Sequence, residues 1–362
     1  MQESKQHTDI ITAAYRAFLK REPDEAGKNN YMKFMKDGGS LEEVFASFVG
    51  SDEFSDKSIY RGNITIDSAH LWIGFGKGEV EYIRQWEDKD LTGTPGFLTD
   101  FVGVRTRISS LWRECAPYDG IVVPLPIPGD YHADILEYVG TLRAVDAASG
   151  SISVMELGAG IGPWIVTAGV AARRRGIEDI YLCAVEGDPE RHAMMLQHIA
   201  DNDLVGQDIR QAAVGVEDGE AYWPRISDPA NHSGARPLRE GDANDAAYLG
   251  VHYDLDDMIR VPFIALHRLL DKRPLWDLIH IDVQGTEAEL CAANIEALNE
   301  RARYLVIGTH SRKIDGELIE IFHAAGWVLE NERPATIRYD KDVVLSHLVV
   351  ADGTQIWRNP RL

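Results

Sequence analysis

Cysteine is scarce: the chain has three in 362 residues, Cys115, Cys183 and Cys291, far apart and in no Cys-x-x-Cys pair. That spacing argues against a structural zinc site and against a disulfide-stapled secreted framework, and it fits a reducing, cytoplasmic setting. Long apolar runs are also lacking. The opening stretch MQESKQHTDI has no basic segment leading into an apolar one, and no later stretch approaches membrane-spanning length, so neither a leader nor a membrane span is expected. Basic residues are in deficit, 37 against 58 acidic, for a formal charge of -21. Such a surface repels a phosphate backbone unless its cations cluster. The densest run, Arg173 to Arg175, falls late in an expected helix, where cations complement the helix dipole. There is also no Asn/Asp-Pro-Pro-aromatic stretch of the kind that holds the amino group of a flipped base. Nucleic acid is therefore not an expected partner. Finally, the glycines of GFGKG are followed by no Lys-Ser/Thr, which leaves an ordinary turn rather than a phosphate loop.

The length suffices for two domains and a substantial core. In residues 8–57, Ile11, Tyr15 and Phe18, then Tyr31, Phe34 and Met35, then Leu41, Val44, Phe45 and Phe48 recur at helical spacing, and Ser40 with Glu43 reads as a capping box. A small all-α domain over residues 1–60 is expected. Residues 61–131, rich in Gly, Trp, Pro and mixed charge, read as a linker that becomes a cap. From residue 132 to 362 helix and strand alternate: a helix through Ile135, Val139 and Leu142, then strands at SISVMEL, DIYLCAVE, IRQAAVG, DLIHID, RYLVIGT, WVLE and VVLSHLVV, with helices between most of them. That order predicts an α/β fold with a doubly wound, mostly parallel sheet. TQIWR, after the turn at Asp352 and Gly353, is expected as an antiparallel edge.

The segment ELGAGIGPW joins the first of these strands to a helix. Glycines at 158, 160 and 162 let the chain turn sharply and let a ligand approach the backbone where a Cβ would collide. A dinucleotide-binding fingerprint would place its third glycine at position 163, which is Pro163, a residue suited to the first turn of a helix. Glu156 ends the first strand and Glu186 the second, as expected when acids project from neighbouring carboxyl edges, and a carboxylate at the second tip can accept both hydroxyls of a ribose.

The succession ELGAGIG, VEGDP, AAVG, IHIDVQG resembles the class I S-adenosylmethionine-dependent methyltransferases, and most closely the FkbM family of O-methyltransferases, over residues 130–350. The resemblance implies a seven-stranded Rossmann-like methyltransferase sheet. Gly158, Ala159, Gly160 and Gly162 would line the methionine half of S-adenosylmethionine, Glu186 would hold the ribose, and Gly187, Asp188 and Ala213 would flank the adenine. Glu156 would bind the amino end or brace the loop, and Trp164 would be a pocket wall or core packing. Family members often carry Glu where this chain has Gln284, and an acid where it has GTHS. In the amino-terminal part, YRAFLKREPDEAG with GGSLEEVFASFVGSDEF resembles the small helical unit, itself like phycobilisome linkers, that accompanies glycan-processing enzymes, which implies a docking role.

Methylating a hydroxyl requires its proton to leave, through a general base or a metal that lowers its pKa. Asp282 and His310, at adjacent strand ends, are the candidate catalytic residues. His310 can take the proton directly. Asp282 can orient it, contact the cofactor's amino group or bind magnesium. His280, two residues before Asp282, points into packing or a local hydrogen bond. A metal-assisted version would draw on Asp254, Asp256 and Asp257, though these read first as a solvated acidic loop, and no metal site is assigned. His232, Arg236 and Arg239 lie in a long polar insert that could cover an anionic or polyhydroxyl acceptor. The expected activity is S-adenosylmethionine-dependent O-methylation of a sugar or glycan hydroxyl. The other readings are a methyltransferase-fold scaffold without strong activity and a nicotinamide-dependent oxidoreductase.

Overall fold

The computed structural model describes residues 2–19, 21–49, 51, 74–226, 228, 230, 235–238, 247–248, 251–252, 258–341 and 348–362. The chain divides into two compact units, Met1–Trp72 and Ile73–Leu362. This boundary lies apart from the 60/61 and 131/132 divisions read from composition.

The first unit holds three helices, α1 (Gln2–Phe18), α2 (Glu25–Lys36) and α3 (Leu41–Val49). Asp24 caps α2 by accepting the Gly27 N–H at 2.7 Å. Ser40 and Glu43 form the anticipated reciprocal pair at the start of α3: Glu43 accepts the Ser40 N–H at 2.8 Å and Ser40 Oγ accepts the Glu43 N–H at 3.1 Å. Ile11, Tyr15, Leu19, Val44 and Phe48 form the core, where the Phe48 ring stacks on Tyr31 at 4.8 Å and meets Tyr15 edge-on at 4.9 Å. Phe34, expected to share the apolar face, is exposed.

In the second unit, residues 74–131 carry α4 (Lys77–Arg84) and the antiparallel pair β1 (Phe97–Thr99) and β2 (Arg105–Arg107). Then follow α5 (Ile135–Ala147), β3 (Ser151–Leu157), α6 (Pro163–Arg174), β4 (Asp179–Glu186), α7 (Pro189–Asp201), β5 (Asp208–Gln211), β6 (Ala213–Gly215), β7 (Gly219–Pro224), β8 (Ala247–Tyr248), β9 (Val251–His252) and β10 (Met258–Ala265). The chain continues through α8 (Leu266–Leu270), β11 (Trp276–Ile281), α9 (Glu287–Ala293), α10 (Ile295–Arg301), β12 (Ala302–Thr309), α11 (Arg312–Ala324), β13 (Val328–Arg333), β14 (Thr336–Ile337), β15 (Val349–Ala351) and β16 (Gly353–Arg358).

The main sheet has seven strands in the order β13-β16-β12-β11-β3-β4-β5. Neighbours from β12 through β5 pair in parallel, and β16 pairs antiparallel with both β12 and β13. All six residues of β11 and six of the seven in β3 are buried, as expected for strands covered by helices on both faces. The strand order reverses between β3 and β11, which opens a crevice at their carboxyl ends.

Two expectations are corrected, and a third falls largely outside the described residues. TQIWR is antiparallel but interior, because Ile356, Trp357 and Gln355 are all buried, and an edge position would leave one side of that apolar strand to solvent. IRQAAVG is two strands: β5 ends the main sheet, while β6 joins a separate three-stranded sheet in the order β6-β10-β7. Most of VVLSHLVV lies outside the described residues, and β15 at its end pairs with β14 in a small sheet of its own.

The run Arg173 to Arg175 is engaged within the fold. Arg173 donates to the Asn202 carbonyl at 2.6 Å, Arg174 to the carbonyls of Trp86 and Val102 at 2.8 Å each, and Arg175 pairs with Asp146 at 2.8 Å while lying over the Trp86 ring. Arg143 likewise joins Glu79 of α4 to Glu330 of β13, each at 3.1 Å.

Trp357 is 1% exposed and its ring lies 5.1 Å from that of Phe322. Trp357→Ala is expected to cost about 3–5 kcal/mol, read as a lower urea midpoint in equilibrium unfolding, through lost burial and the cavity left behind. A loss under about 1 kcal/mol would place β16 at an edge after all.

Candidate active site

The turn after β3 is shaped by the close approach of two strand tips. Gly158 has φ +73°, and a Cβ there would stand 1.8 Å from the carbonyl oxygen of Asp282, so only glycine permits the packing of this turn against the end of β11. Leu157 accepts the Asp282 N–H at 2.9 Å, which fixes the two tips side by side.

Both strand-end glutamates are buried. Glu156 accepts the N–H of Ile165 at 2.8 Å and, more weakly, that of Trp164 at 3.4 Å. These bonds tie it to the first turn of α6. Glu186 accepts the Gly160 N–H at 2.6 Å and the Asp188 N–H at 2.7 Å. Burial pushes each of these carboxyls up to about 7 against the hydrogen bonds that favour ionisation. Asp188 caps α7 by accepting the N–H groups of Glu190 and Arg191.

Two cavities meet at this edge. The smaller, about 120 Å³, is lined by Gly158, Gly160, Glu186, Gly187, Asp188, Ala213 and Asp282, all singled out from the sequence. It is also lined by Arg191 and by Trp223, Ile226, Ala235 and Pro237 from the insert, which sequence reasoning did not reach. The Trp223 ring lies so close to Gly187 that a Cβ there would come within 2.4 Å of it. The larger cavity, about 970 Å³, shares Gly158, Gly160, Arg191, Asp282 and Gln284 with the first and extends past Glu156, Ala159, Trp164, His132, Glu137, His310, Arg333 and Asp352 to Trp112. Gly162 lines neither; with φ +74° it is the N-cap of α6.

Trp164 is 3% exposed and stacked between His132 at 5.5 Å and His280 at 5.4 Å, with Tyr138 edge-on at 5.0 Å. It packs in an aromatic column and borders the larger cavity only. His280 has a local partner, with Nε2 3.3 Å from Glu137. Among the described insert residues Arg236 borders the larger cavity, whereas His232, Arg239, Asp254, Asp256 and Asp257 lie outside the described residues.

Asp282 stands where the cavities join, and Nε2 of His310, from the larger cavity, is 3.2 Å from its Oδ1. Behind the ring stands Glu287, fully buried at the start of α9, with Oε1 2.9 Å from Nδ1. Glu287 closes the stretch IDVQGTE, but an acid in the first turn of a helix reads as ordinary dipole compensation, and the sequence alone assigns it no role. Gln284 between them adopts a left-handed φ of +61°, backbone strain of the kind that gathers at functional sites, and its amide donates to Asp282 at 2.7 Å. Burial alone would depress the His310 pKa, but the adjoining Asp282 and Glu287 carboxylates raise it well above the ordinary imidazole value. Burial would raise the Asp282 carboxyl, and the neighbouring imidazolium more than offsets this, leaving it below the usual range. Among the described residues Asp282, Glu287 and His310 also form a group of metal-ligand type. The ring's two nitrogens face the two carboxylates separately, so a single ion could engage one side of the imidazole only.

The strand order and its reversal define a Rossmann-like α/β protein with a crevice at the carboxyl edge of the sheet. Residues 2–58 match the family profile described as "Domain of unknown function (DUF4214)". Over 293 residues the chain is 31% identical to a protein of Jannaschia sp. (strain CCS1) named "Putative methyltransferase", covering 77% of this chain and 98% of that one. The chain therefore belongs to that methyltransferase family. Among solved structures, a precorrin-6y C5,15-methyltransferase from Geobacter metallireducens GS-15 has 12% identity and a TM-score of 0.33, covering 63% of this chain and 88% of that one. A ribosomal protein L11 methylase from Lactobacillus delbrueckii subsp. bulgaricus has 12% identity and a TM-score of 0.31, covering 67% and 86%. Among the described residues, no helix is long and apolar enough to cross a membrane.

Glu156 holds its proton in the folded chain up to about pH 7, whereas an unfolded glutamate loses it near 4.5. Its contribution to stability is thus complete below about 4.5 and is lost as pH rises through 7. Between pH 5 and pH 8 the unsubstituted chain is expected to lose on the order of 3 kcal/mol more than Glu156→Gln. Parallel curves in urea melts at the two pH values would show that the carboxyl is not so perturbed.

Proposed function

We propose that this protein transfers the methyl group of S-adenosylmethionine to a hydroxyl of a sugar or glycan. The observation that carries the reading is the meeting of two cavities at Asp282, with His310 beside it in the larger one; the smaller has bare glycine backbone along one side, and the larger carries charged groups in its wall. The smaller suits a nucleoside: Gly158, Gly160 and Gly187 leave the backbone bare, Trp223, Val185 and Ala213 supply apolar walls, and Glu186 stands at the tip of the second strand to accept ribose hydroxyls. Ala159 and Gly162 shape the turn on the methionine side, and Glu156 holds that turn against α6. When bound, S-adenosylmethionine supplies a methyl group made electrophilic by its sulfonium.

The chain's own task is to position the acceptor, exclude water and take a proton. The larger cavity exceeds what one sugar ring fills, and its wall carries Asp134, Glu137, His132 and Arg333, groups that pair with hydroxyls. Neutral His310 accepts the acceptor's proton at Nε2, and Asp282 stabilises the resulting imidazolium. Because His310 titrates well above the ordinary imidazole value, its neutral fraction, and with it turnover, rises with pH above neutrality. The charge of -21 weighs against nucleic acid as the acceptor. The small helical unit before the methyltransferase fold supports a glycan setting through its resemblance and is assigned a docking role. Cytoplasmic placement is consistent with the three free cysteines.

Calorimetry and product analysis test this. Glu186→Ala should weaken S-adenosylmethionine binding at least about tenfold, the scale of one lost charge-assisted hydrogen bond; an unaltered dissociation constant removes the ribose assignment. His310→Ala should slow turnover about a hundredfold or more with donor affinity nearly intact. Mass spectrometry of glycans incubated with donor should show a gain of one CH₂. Tight NADH binding without S-adenosylmethionine binding would reverse the reading.

A further inference from the structure

Glu287 is a buried acid beside His310 that the reading above does not use. Its Oε1 accepts the N–H of Val283 at 3.2 Å and of Gly285 at 3.0 Å, both from the loop that carries Asp282 and the left-handed Gln284. The same oxygen lies 2.9 Å from His310 Nδ1. An oxygen already accepting two backbone hydrogens is an acceptor to the ring as well, so Nδ1 carries hydrogen. In a neutral imidazole the other nitrogen then bears the lone pair. That nitrogen, Nε2, is the one nearest Asp282.

We propose that Glu287 is a positioning residue: anchored by the backbone of residues 283 and 285, it fixes the Nδ1–H tautomer and the plane of His310, leaving Nε2 as the atom that takes the acceptor's proton. The proposal rests on the methyl-transfer reading, since it assigns the geometry of the base that reading requires. It also assigns a purpose to the strained loop. Gln284 φ, the Glu287 anchor and the Asp282 carboxylate belong to one six-residue segment, so the segment holds both partners of the imidazole from the β11 side while β12 supplies the ring.

The acids facing His310 come from four elements: Asp282 from the loop after β11, Glu287 from α9, Asp352 from the turn before β16, with Oδ2 4.0 Å from Nε2, and Asp315 from α11, with Arg312 near it. Glu287→Gln removes one of these charges yet keeps an amide oxygen able to accept the Nδ1 hydrogen. The substitution therefore separates charge from orientation.

The test is NMR of the full chain with isotope-labelled histidine and no donor, His310 being assigned by the signal missing in His310→Asn. In the unsubstituted chain the neutral form should be the Nδ1–H tautomer, and in folded Glu287→Gln the imidazole pKa should fall by about one pH unit or more, a tenfold change in proton affinity. In turnover, the ascending limb of the pH profile should move down by the same amount, with KM for donor within about twofold. Glu287→Asp, with its shorter reach, should restore the charge but not the full rate. The opposite tautomer in the unsubstituted chain, an unshifted pKa in folded Glu287→Gln, or broadening of the His310 signal by micromolar manganese, which would make the ring a metal ligand, overturns the proposal. Should Glu287→Gln fail to fold, the tautomer in the unsubstituted chain decides. Because these spectra need no donor, absence of methyl transfer would sink the functional reading while leaving the tautomer and pKa results to stand by themselves.

Discussion

The contact on which this molecule depends is the packing of Gly158 backbone against the Asp282 carbonyl, with no room for a Cβ between them. It draws the ends of β3 and β11 together at the reversal of strand order. Every functional group follows from that proximity: the turn after β3 swings Gly160 to Glu186 at the tip of β4, and the loop after β11 carries Asp282 to His310 at the tip of β12. Four neighbouring strand ends, those of β12, β11, β3 and β4, thus contribute to one crevice.

Burial governs the electrostatics that result. Glu156 and Glu186 are enclosed, and burial makes their carboxyls resist ionisation despite the backbone N–H groups that favour the charged form. Asp282, Glu287 and His310 are also largely enclosed, but there charge is matched by charge and the imidazolium is favoured. A few ångströms of backbone therefore separate a region that tolerates neutral acids from one that favours ions. A crevice with that contrast can accommodate a ligand that is apolar at one end and charged at the other.

Much of this was legible in the chain. The alternation of apolar runs with helix-spaced segments predicts the parallel sheet, and the three glycines with Glu156 and Glu186 mark the crevice, because glycine spacing and strand-end acids are local signals. The missed parts depend on tertiary partners. Trp223 reaches the smaller cavity only through the three-stranded sheet, whose central strand β10 contains Pro262, a residue that argues against an interior strand when seen in isolation. Glu287 looks like helix-end compensation until the ring of His310, 23 residues away, is placed over it. The position of β16 is hidden for a similar reason: a short strand after a turn suggests an edge, and only its pairing with both β12 and β13 places it inside.

That insertion bears on how the molecule is made. β16 comes after every other strand of its sheet in chain order, yet it fills a slot between two of them, and the residues just before it, Ala351 and Asp352, form part of the larger cavity's wall. A ribosome releases the rest of the sheet first, so β12 and β13 must wait with unpaired edges while the remaining residues emerge. A chain interrupted ahead of Gly353 would keep its glycine turn but carry a breached cavity and two open strand edges, making such products natural targets for proteolytic clearance or aggregation.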